Sequence, residues 1–286
     1  MTSSKLPGPI DTLITPGKWD PETYNQFQIQ RKLPFDDLLR LIRPCPGARI
    51  IDLGCGDGSL TRELHKYVGA SETVGVDWSP EMLACTNQIR ETGLHFIHEK
   101  IENTLRGWES AQPYIPEVSG RFDLIFSNAA LQWVPDHSAI FSSLARGLIP
   151  EGQLALQLPA NVDHPSHWVA DEIASREPFL GILASQGSRA GRVDWVLTPE
   201  EYSRQLFNEG FSNIHVRLQV YGHVLESTSQ VTSWVQGSLL SPYRNLFDPT
   251  IYEKFVDAYT VRLLEVEGDH RPYYFPFKRI LIWATR

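Results

Sequence analysis

The amino-acid sequence predicts an α/β fold, a mainly parallel sheet with helices on both faces. Three observations lead to this prediction. Short apolar segments alternate five times with helical segments between residues 49 and 158, which is typical of parallel sheets. A glycine-rich turn, 54-GCGDG-58, follows the first apolar segment, as at many strand-to-helix turns. The alternation ends after residue 159. We therefore predict a Rossmann-like sheet with additional helices.

The elements up to residue 158 follow from apolar spacing and helix-capping residues. Residues 1–17, rich in Pro, Gly, Ser and Thr, are expected to form a loose arm. Helical spacing covers residues 20–42, and Pro34 is expected to divide that helix in two. The stretch 103–121 lacks a period and is predicted as a loop with at most one helical turn. The other predicted elements are strands at 49–53, 73–77, 94–98, 122–128 and 153–158, and helices at 58–67, 79–90 (with Ser79 and Pro80 at its start) and 136–147.

After residue 159 the sequence predicts a helical cap around two more strands. The predicted elements are helices near 166–176 and 199–209, a strand at 213–221, helices at about 228–240 and 248–267, and a last strand at 279–286. We expect one domain spanning residues 1–286. Its substrate cap would be built from the N-terminal helices (about 18–45) and two insertions (about 160–210 and 223–275).

Composition narrows the class of protein. The 286 residues are 42% hydrophobic, enough for a substantial core, and the net charge is -8. Lys and Arg are scattered, which disfavours a nucleic-acid partner. Three cysteines without a C-x-x-C pair disfavour a disulfide framework and a zinc site, so no metal is predicted. The N-terminus lacks an apolar signal region, and no apolar run is long enough to cross a bilayer. We expect a soluble cytoplasmic protein.

The glycine loop and two acids indicate the kind of ligand. Backbone N–H groups at a helix N-terminus attract polar or anionic groups, and dinucleotide sites use G-x-G-x-x-G. Here 54-GCGDG-58 has the spacing G-x-G-x-G, with Ser59 in the position of the third glycine. Asp52 would repel a pyrophosphate but suits an ammonium group. Asp77 lies 23 residues after Gly54, near the usual offset of a ribose-binding acid. These features favour S-adenosylmethionine; an ordinary glycine turn is the alternative.

The chain resembles class I S-adenosylmethionine-dependent methyltransferases and, more narrowly, the trans-aconitate methyltransferase family. The resemblance extends in the family's order over nearly the whole chain. The segments that carry it are 19-WDPETYNQF-27 with Arg31, 51-IDLGCGDGSLT-61, 75-GVDWSPEML-83, 123-DLIFSNAALQWVPDH-137, 157-QLPAN-161 and 275-FPFKRILIWA-284. The resemblance implies seven strands with the last antiparallel, S-adenosylmethionine as cofactor, and a monomer.

The resemblance also implies cofactor-binding roles at matching positions. The methionine half of the cofactor would be lined by Asp52, Gly54, Cys55 and Gly56. Asp77 would accept hydrogen bonds from the ribose hydroxyls, and the adenine would lie between Trp78 and Met82, a flat ring that suits aromatic and thioether contacts. The sulfonium would be bordered by Asn128 and Ala129. Arg31 would pair with the cofactor carboxylate; a solvated helix face is the alternative for this residue.

Two departures from the family pattern concern adenine and acceptor. In 99-EKIE-102, Lys100 stands where the family has an acid that accepts from the adenine amino group, and lysine cannot accept this bond. Glu99 or Glu102 could replace it, or the backbone of Ile101 could carry the contact. In 237-GSLLSPY-243, Ser241 replaces an arginine of the family's cap. This loss puts trans-aconitate itself in doubt as the acceptor. Candidate compensating cations, otherwise ordinary surface charges, are Arg244, Lys278 and Arg279.

The predicted chemistry needs orientation more than proton transfer. A carboxylate acceptor is already ionised at pH 7 and needs no general base. Asn128, Gln132 and Trp133 follow the fourth strand, where amides can orient an acceptor without titrating. His164 and His167 are the candidate bases for an acceptor that requires one, with exposed loop histidines as the alternative. His137 is interpreted as a helix-start residue. The aromatic residues either wall a pocket or pack in the core: Trp234, Tyr243, Tyr273 and Tyr274.

The predicted function is methyl transfer to a small molecule, by O-methylation of a carboxylate of an acidic, trans-aconitate-like metabolite. Two alternatives stay open at this point. One keeps the cofactor and moves the acceptor to an O, N or C centre of a natural product. The other is a cofactor-binding protein without catalysis. No nucleic acid or membrane partner is expected.

Overall fold

The computed structural model describes residues 28–108, 118–188 and 195–286, with side chains from Lys32 onward. The chain divides into two compact units. The sheet unit consists of the described residues within Trp19–Asn161, Trp195–Val224 and Tyr274–Arg286. The helical unit consists of those within Val162–Asp194 and Leu225–Tyr273. The predicted arm at 1–17 lies outside the described residues.

A seven-stranded sheet confirms the predicted fold class. Its strands are ordered β3-β2-β1-β4-β5-β7-β6. The first five strands pair in parallel, and β7 is antiparallel to β5. The strands are β1 Arg49–Leu53, β2 Glu72–Asp77, β3 Leu94–His98, β4 Phe122–Asn128, β5 Leu148–Pro159, β6 Ser212–Leu225 and β7 Tyr273–Thr285.

The helices divide between the two units. Those of the sheet unit are α1 Gln28–Leu39, α2 Ser59–Val68, α3 Pro80–Thr86, α4 Ile101–Gly107, a 3₁₀ helix at Leu131–Trp133, α5 His137–Gly147 and α8 Pro199–Asn208. Those of the helical unit are α6 Pro165–Ala174, α7 Phe179–Ser185, α9 Gln230–Gln236, α10 Ser241–Leu246 and α11 Pro249–Glu267. Both α1 and α8, which the sequence suggested for the cap, belong to the sheet unit; the cap itself stays a prediction about acceptor binding.

Each face of the sheet has its own hydrophobic core. On the first face, which we call the α1 face, α1 and α2 cover alternate residues of β1, β4, β5 and β7. The rings of Phe35 and Phe126 meet edge to face there, with centroids 5.8 Å apart. On the other face, α4, α5 and α8 pack against the remaining strand positions. Because strand side chains alternate between faces, the register decides which polar residues share the α1 face.

The prediction that Pro34 divides the first helix is wrong. Helix α1 runs through Pro34 from Gln28 to Leu39. The proline removes one intrahelical hydrogen bond, but Phe35 and Leu38 are fully buried against the sheet. Their burial outweighs the local propensity. The part of the predicted helix before Gln28 lies outside the described residues.

Other differences concern short helices and strand ends. Helix α4 occupies 101–107, where mainly loop was predicted, and α3 ends at Thr86 instead of residue 90. Helices α7 and α10, of six or seven residues, were not predicted because so few residues display no clear period. The last strand begins at Tyr273 rather than 279. Pro276 hid this start, since proline is rare inside strands.

Candidate active site

The loop after β1 depends on glycine for its backbone shape and for close packing. The amides of Gly54 and Cys55 both donate to the Val76 carbonyl, at 2.8 and 3.0 Å. Gly54 has φ +86°, which L side chains rarely adopt. A Cβ on Gly54 would lie 2.1 Å from Ala130 Cβ, just beyond β4. The loop therefore packs closely against the end of β2 on one side and against the residues after β4 on the other.

Asp77 ties the same loop to the end of β2. Its Oδ2 accepts from the Gly56 amide at 2.9 Å, and its Oδ1 accepts from the Ser79 amide at 2.9 Å. The side chain is buried, and this burial raises its pKa, although the backbone donors oppose the shift. Each carboxylate oxygen has a further lone pair. Asp77 can therefore hold the loop and also accept from a ligand hydroxyl.

Asp52 lies on β1, buried beneath the loop. Its Oδ2 accepts from Thr61 Oγ1 at 2.6 Å. Its Oδ1 is buried and has no hydrogen-bond partner among the described residues. Burial raises the pKa of Asp52 to about 7; the Thr61 hydrogen bond opposes this shift and the Asp77 charge adds to it. Burial and both carboxylates also raise the pKa of the Cys55 thiol. A cation at Asp52 would favour its ionised form.

The residues expected around adenine border the same loop. Met82 is buried, and its Cε lies 3.2 Å from the position that a Cβ on Gly56 would take. Ile101 Cδ1 lies 3.7 Å from the corresponding position on Gly54. Trp78 is half-buried immediately after β2. The structure thus brings Met82 and Ile101 to the loop surface.

Lys100 is the exposed N-cap residue of α4, and the side chain of Glu99 bonds groups at the start of this helix. Glu99 Oε1 accepts from the Lys100 amide at 2.8 Å and from Asn103 Nδ2 at 2.7 Å. Both hydrogen bonds of this carboxylate oxygen are therefore made to groups at the N-terminus of α4. Glu102 lies in the first turn of α4. A contact of either glutamate with adenine stays a prediction.

The end of β4 presents amide groups. Gln132 Nε2 donates to the Ala129 carbonyl at 2.6 Å, which turns Gln132 Oε1 away from that carbonyl. Asn128 Oδ1 and Gln132 Oε1 are both buried without a hydrogen-bond partner in the described part of the chain. Ala129 has φ +55°, and its amide donates to the Gln157 carbonyl at 2.9 Å. Trp133 ends the 3₁₀ helix and is half-buried.

Sequence reasoning assigned no role to Gln157, which lies beside Asn128. The two residues pair in register on β4 and β5, so their side chains share the α1 face. Gln157 is 1% exposed, and its Nε2 lacks a hydrogen-bond partner among the described residues. The one available signal was a polar residue inside the apolar run 153-QLALQL-158.

Of the three candidate cations, Arg279 is buried on this face. It pairs with Pro159 on β5, two positions from the Gln157–Leu281 pair, and therefore shares their side of the sheet. Its guanidinium lies over the Phe277 ring at 4.5 Å. The neighbouring Lys278 projects from the opposite side of β7 by strand alternation.

His223 on β6, to which the sequence assigned no role, also lies on the α1 face. It is two positions beyond Tyr221, which is part of the core beneath α1. His223 is buried, and its pKa is lowered to about 4 by burial and by the Arg279 charge. The imidazole is therefore neutral at pH 7 and a weak base. The predicted strand ended at Tyr221, whereas β6 continues to Leu225, so the sequence prediction did not place His223 in a strand.

Several expected site residues belong to the helical unit. His164 is the N-cap of α6, and its Nδ1 accepts from the Ser166 amide at 3.1 Å. His167 Nδ1 is 2.9 Å from Ser166 Oγ. Ser241 begins α10 and donates to the Ser238 carbonyl at 2.7 Å. A catalytic role for the two histidines stays a prediction.

The remaining residues that the sequence singled out lie in different parts of the structure. Helix α5 begins at His137, as interpreted from the sequence, and His137 Nδ1 is 2.6 Å from the Tyr202 hydroxyl. Arg31 lies in α1, but its side chain is outside the described part. Arg244, in the helical unit, lies 5.5 Å from the ring centroid of Tyr252. Of the aromatic residues, Tyr274 is exposed and three are buried in the core: Trp234, Tyr243 and Tyr273.

Within the described residues, neither a metal-binding cluster nor a membrane-spanning helix is present. In the ranges that the structure describes, no three His, Cys, Asp or Glu side chains are grouped so as to hold a metal ion. No described helix has the length and apolar character needed to cross a membrane.

Comparisons with known proteins define the class. A protein-family profile described as "Methyltransferase domain" matches residues 45–194. Two solved structures share the fold at 16% identity: the YcgJ protein from Bacillus subtilis, with a TM-score of 0.54 over 88% of this chain and 97% of that one, and mycolic acid cyclopropane synthase CmaA1, with 0.53 over 97% and 91%. The chain is an S-adenosylmethionine-dependent methyltransferase with a class I fold, and S-adenosylmethionine is its cofactor.

Curated relatives define the family. The trans-aconitate 2-methyltransferase of Deinococcus radiodurans is 36% identical over 269 residues, which are 94% of this chain and 98% of the relative. The enzyme of that name from Mycobacterium sp. (strain KMS) is 34% identical over 93% of this chain and 98% of its own. The chain belongs to the trans-aconitate 2-methyltransferase family.

Proposed function

We propose that this enzyme methylates a carboxylate oxygen of a small acidic molecule of the trans-aconitate type. The names of the relatives support an acidic acceptor. The observation that carries the proposal is the chemistry at the ends of β4 and β5. Three amides there, Asn128, Gln132 and Gln157, each have a buried polar atom without a hydrogen-bond partner among the described residues. Amides orient a group without exchanging protons at neutral pH. A carboxylate acceptor needs no general base, because it is already ionised at neutral pH.

The residues around the glycine loop fit S-adenosylmethionine. Asp52 Oδ1, a buried oxygen without a described partner, would attract the amino group of the methionine half. Asp77 would accept from the ribose hydroxyls with lone pairs that the loop amides leave free. Met82, Trp78 and the Ile101 side chain would enclose adenine. These contacts hold and orient the cofactor, which supplies an electrophilic methyl group on a sulfonium.

The oxygens at the end of β4 suit the cationic centre of the cofactor. Asn128 Oδ1 and Gln132 Oε1 carry partial negative charge and are buried. We propose that they face the sulfonium and its methyl group, and that Ala129 and Trp133 exclude water beside them. Because a low-dielectric site strengthens such fixed dipoles, the chain contributes position and electrostatics rather than an acid or base.

Methyl transfer to acids tests the proposed function. The enzyme is incubated with S-adenosylmethionine labelled in the methyl group and a panel of mono-, di- and tricarboxylic acids. We expect label in a product that alkali hydrolyses to methanol, since methyl esters are cleaved and methyl ethers or amines are not. Label that resists alkali, or transfer only to phenols or amines, would contradict carboxylate methylation.

A double variant tests the alternative of a base-dependent acceptor. His164→Asn keeps an N-cap side chain, and His167→Gln keeps a group that can bond Ser166. We expect the double variant to retain esterification of the best acid within about twofold, because an ionised carboxylate needs no base. A loss of about 100-fold or more with unchanged S-adenosylhomocysteine affinity would instead assign a histidine to proton transfer.

A further inference from the structure

A row of polar side chains lies on the α1 face, at the edge of the sheet where the parallel strands end. The charge of these side chains changes from one end of the row to the other. In the spatial order of the strands, they are Asp77 on β2, Asp52 on β1, Asn128 on β4, Gln157 on β5 and Arg279 on β7. The series runs from two carboxylates through two amides to a guanidinium. Sequence order does not reveal it, because β7 lies at the end of the chain.

The register places all five side chains on one face. Asp52 pairs with Gly75, so Asp77, two residues later, shares its side. Asp52 also pairs with Phe126, which puts Asn128 on that side. The Asn128–Gln157 and Gln157–Leu281 pairs extend the face to β5 and β7, where Arg279 follows by alternation.

We propose that Arg279 and Gln157 bind a second carboxylate of the acceptor, the one that is not methylated. The inference rests on the proposed function and deepens it, since it selects di- and tricarboxylic acids over monocarboxylic acids. The cationic cofactor occupies the end of the series with the two carboxylates. The anionic acceptor meets the other end, where Gln157 and Arg279 supply N–H groups. Gln157 Nε2 offers a buried donor, and Arg279 offers a buried charge.

The geometry of Arg279 suits a carboxylate. Its guanidinium stacks on the Phe277 ring at 4.5 Å, a contact that uses the flat face of the group. The N–H donors lie in the plane of the guanidinium and can bind a carboxylate through two parallel hydrogen bonds. His223 nearby is neutral at pH 7 because burial and the Arg279 charge lower its pKa. The neutral imidazole neither cancels nor adds to the Arg279 charge.

The spacing also fits two carboxylates of one small molecule. Strands β4 and β7 are separated only by β5, so their backbones are about 10 Å apart at the usual strand spacing. Methyl transfer beside Asn128 would leave the rest of the acceptor to extend across Gln157 toward β7. The long Arg279 side chain covers part of that distance. A monocarboxylic acid has no group to place there.

The variant Arg279→Met tests this subsite in the complete protein, with Lys278→Met as the matched control. The two residues are adjacent in sequence but on opposite sides of β7, and both substitutions remove one positive charge. We expect Arg279→Met to raise KM for tricarboxylic and dicarboxylic acceptors by about 100-fold and to leave the slow reaction of monocarboxylic acids within about twofold. Lys278→Met should behave as the parent enzyme. S-adenosylhomocysteine affinity, measured by calorimetry, should be unchanged in both and reports intact folding.

A binding measurement separates failure of the subsite from failure of the proposed reaction. Tricarballylate is titrated into protein saturated with S-adenosylhomocysteine, where no methyl group can be transferred. Binding that Arg279→Met and Gln157→Leu both weaken supports the subsite, even if no ester forms. The proposal is overturned if tricarballylate does not bind the parent protein or binds Arg279→Met equally well. The proposal is also overturned if Lys278→Met weakens acceptor binding as much as Arg279→Met does. The same holds if Arg279→Met raises KM equally for mono- and tricarboxylic acids.

Discussion

The two ends of the polar edge differ in charge and in the way they are built. We call Asp52, the loop 54-GCGDG-58 and Asp77 the donor side, and Gln157 with Arg279 the acceptor side. On the donor side, carboxylates are fixed by hydrogen bonds to Thr61 and to backbone amides within one stretch of chain. On the acceptor side, two strands separated by more than 100 residues supply the polar atoms. The donor side is therefore a local motif, whereas the acceptor side exists only through strand register.

The largest expected effect comes from breaking the donor side at Gly54. In Gly54→Ala, the new Cβ would lie 2.1 Å from Ala130 Cβ on a backbone with φ +86°. The chain must shift at the ends of β1 and β4, at a cost of about 2–5 kcal/mol in the free energy of unfolding. We expect S-adenosylhomocysteine affinity to fall by about 100-fold or more, measured by calorimetry.

Gly47→Ala is the matched control for this variant. Gly47 has φ +82°, almost the same backbone strain, but a Cβ there meets nothing within 4 Å. We expect a loss of about 1 kcal/mol in unfolding free energy and no change in cofactor affinity. If both variants lose affinity equally, close packing of the loop on Ala130 is not what shapes the donor side.

A second, smaller effect concerns the charge of Asp52. Burial raises the pKa of Asp52 to about 7, and a bound ammonium group favours the ionised carboxylate. Cofactor binding therefore releases a proton below this pKa. We expect affinity for S-adenosylmethionine to rise by about 10-fold between pH 6 and pH 8 and then to level off. In Asp52→Asn the affinity should be lower and almost independent of pH over this range.

The same substitution should act in the opposite direction on the cofactor-free protein. The folded-state pKa of Asp52, about 7, exceeds the ordinary value of 3.8. The folded state therefore binds the proton more tightly, and its stability falls as the pH rises from about 4 to 7. Asp52→Asn removes this loss and should raise the melting temperature at pH 8 more than at pH 5. A melting temperature lowered equally at both pH values would show that Asp52 stabilises the apoprotein as an ion.

The local construction of the donor side explains why it could be predicted from the sequence. The strand ends, the glycine loop and the two acids fall within residues 49–77, and each part has a recognisable local signal. The strand at 122–128 was predicted at its observed bounds because four of its seven residues are large and apolar, and these residues are clustered in 122-FDLIF-126. Helix α4 and the start of β7 had no such signal. Seven residues show no helical period, and Pro276 contradicts a strand locally although its neighbours Phe275 and Phe277 are buried.

The acceptor side could not be predicted because sequence neighbours there have different surroundings. Lys278 and Arg279 were equivalent candidates until β7 was known to pair with β5. Gln157 was visible only as a polar interruption of an apolar run, and His223 lies beyond the strand predicted at 213–221. Nothing local says which face either residue occupies. A one-residue shift in register would reverse every side chain. The residues that select the acceptor are therefore those for which a single sequence is least informative.

The smallest expected effect concerns the adenine end of the donor side. Lys100 is exposed where the resemblance implies an acid that accepts from the adenine amino group. Lys100→Asp restores such an acceptor at the start of α4, and a solvent-accessible hydrogen bond adds about 0.5–1 kcal/mol. We expect S-adenosylhomocysteine affinity to rise about threefold by calorimetry. Lys254→Asp, an equal change of charge at an exposed position of α11, should leave the affinity unchanged. Equal gains in both variants would assign the effect to long-range charge and leave the adenine without a carboxylate partner at residue 100.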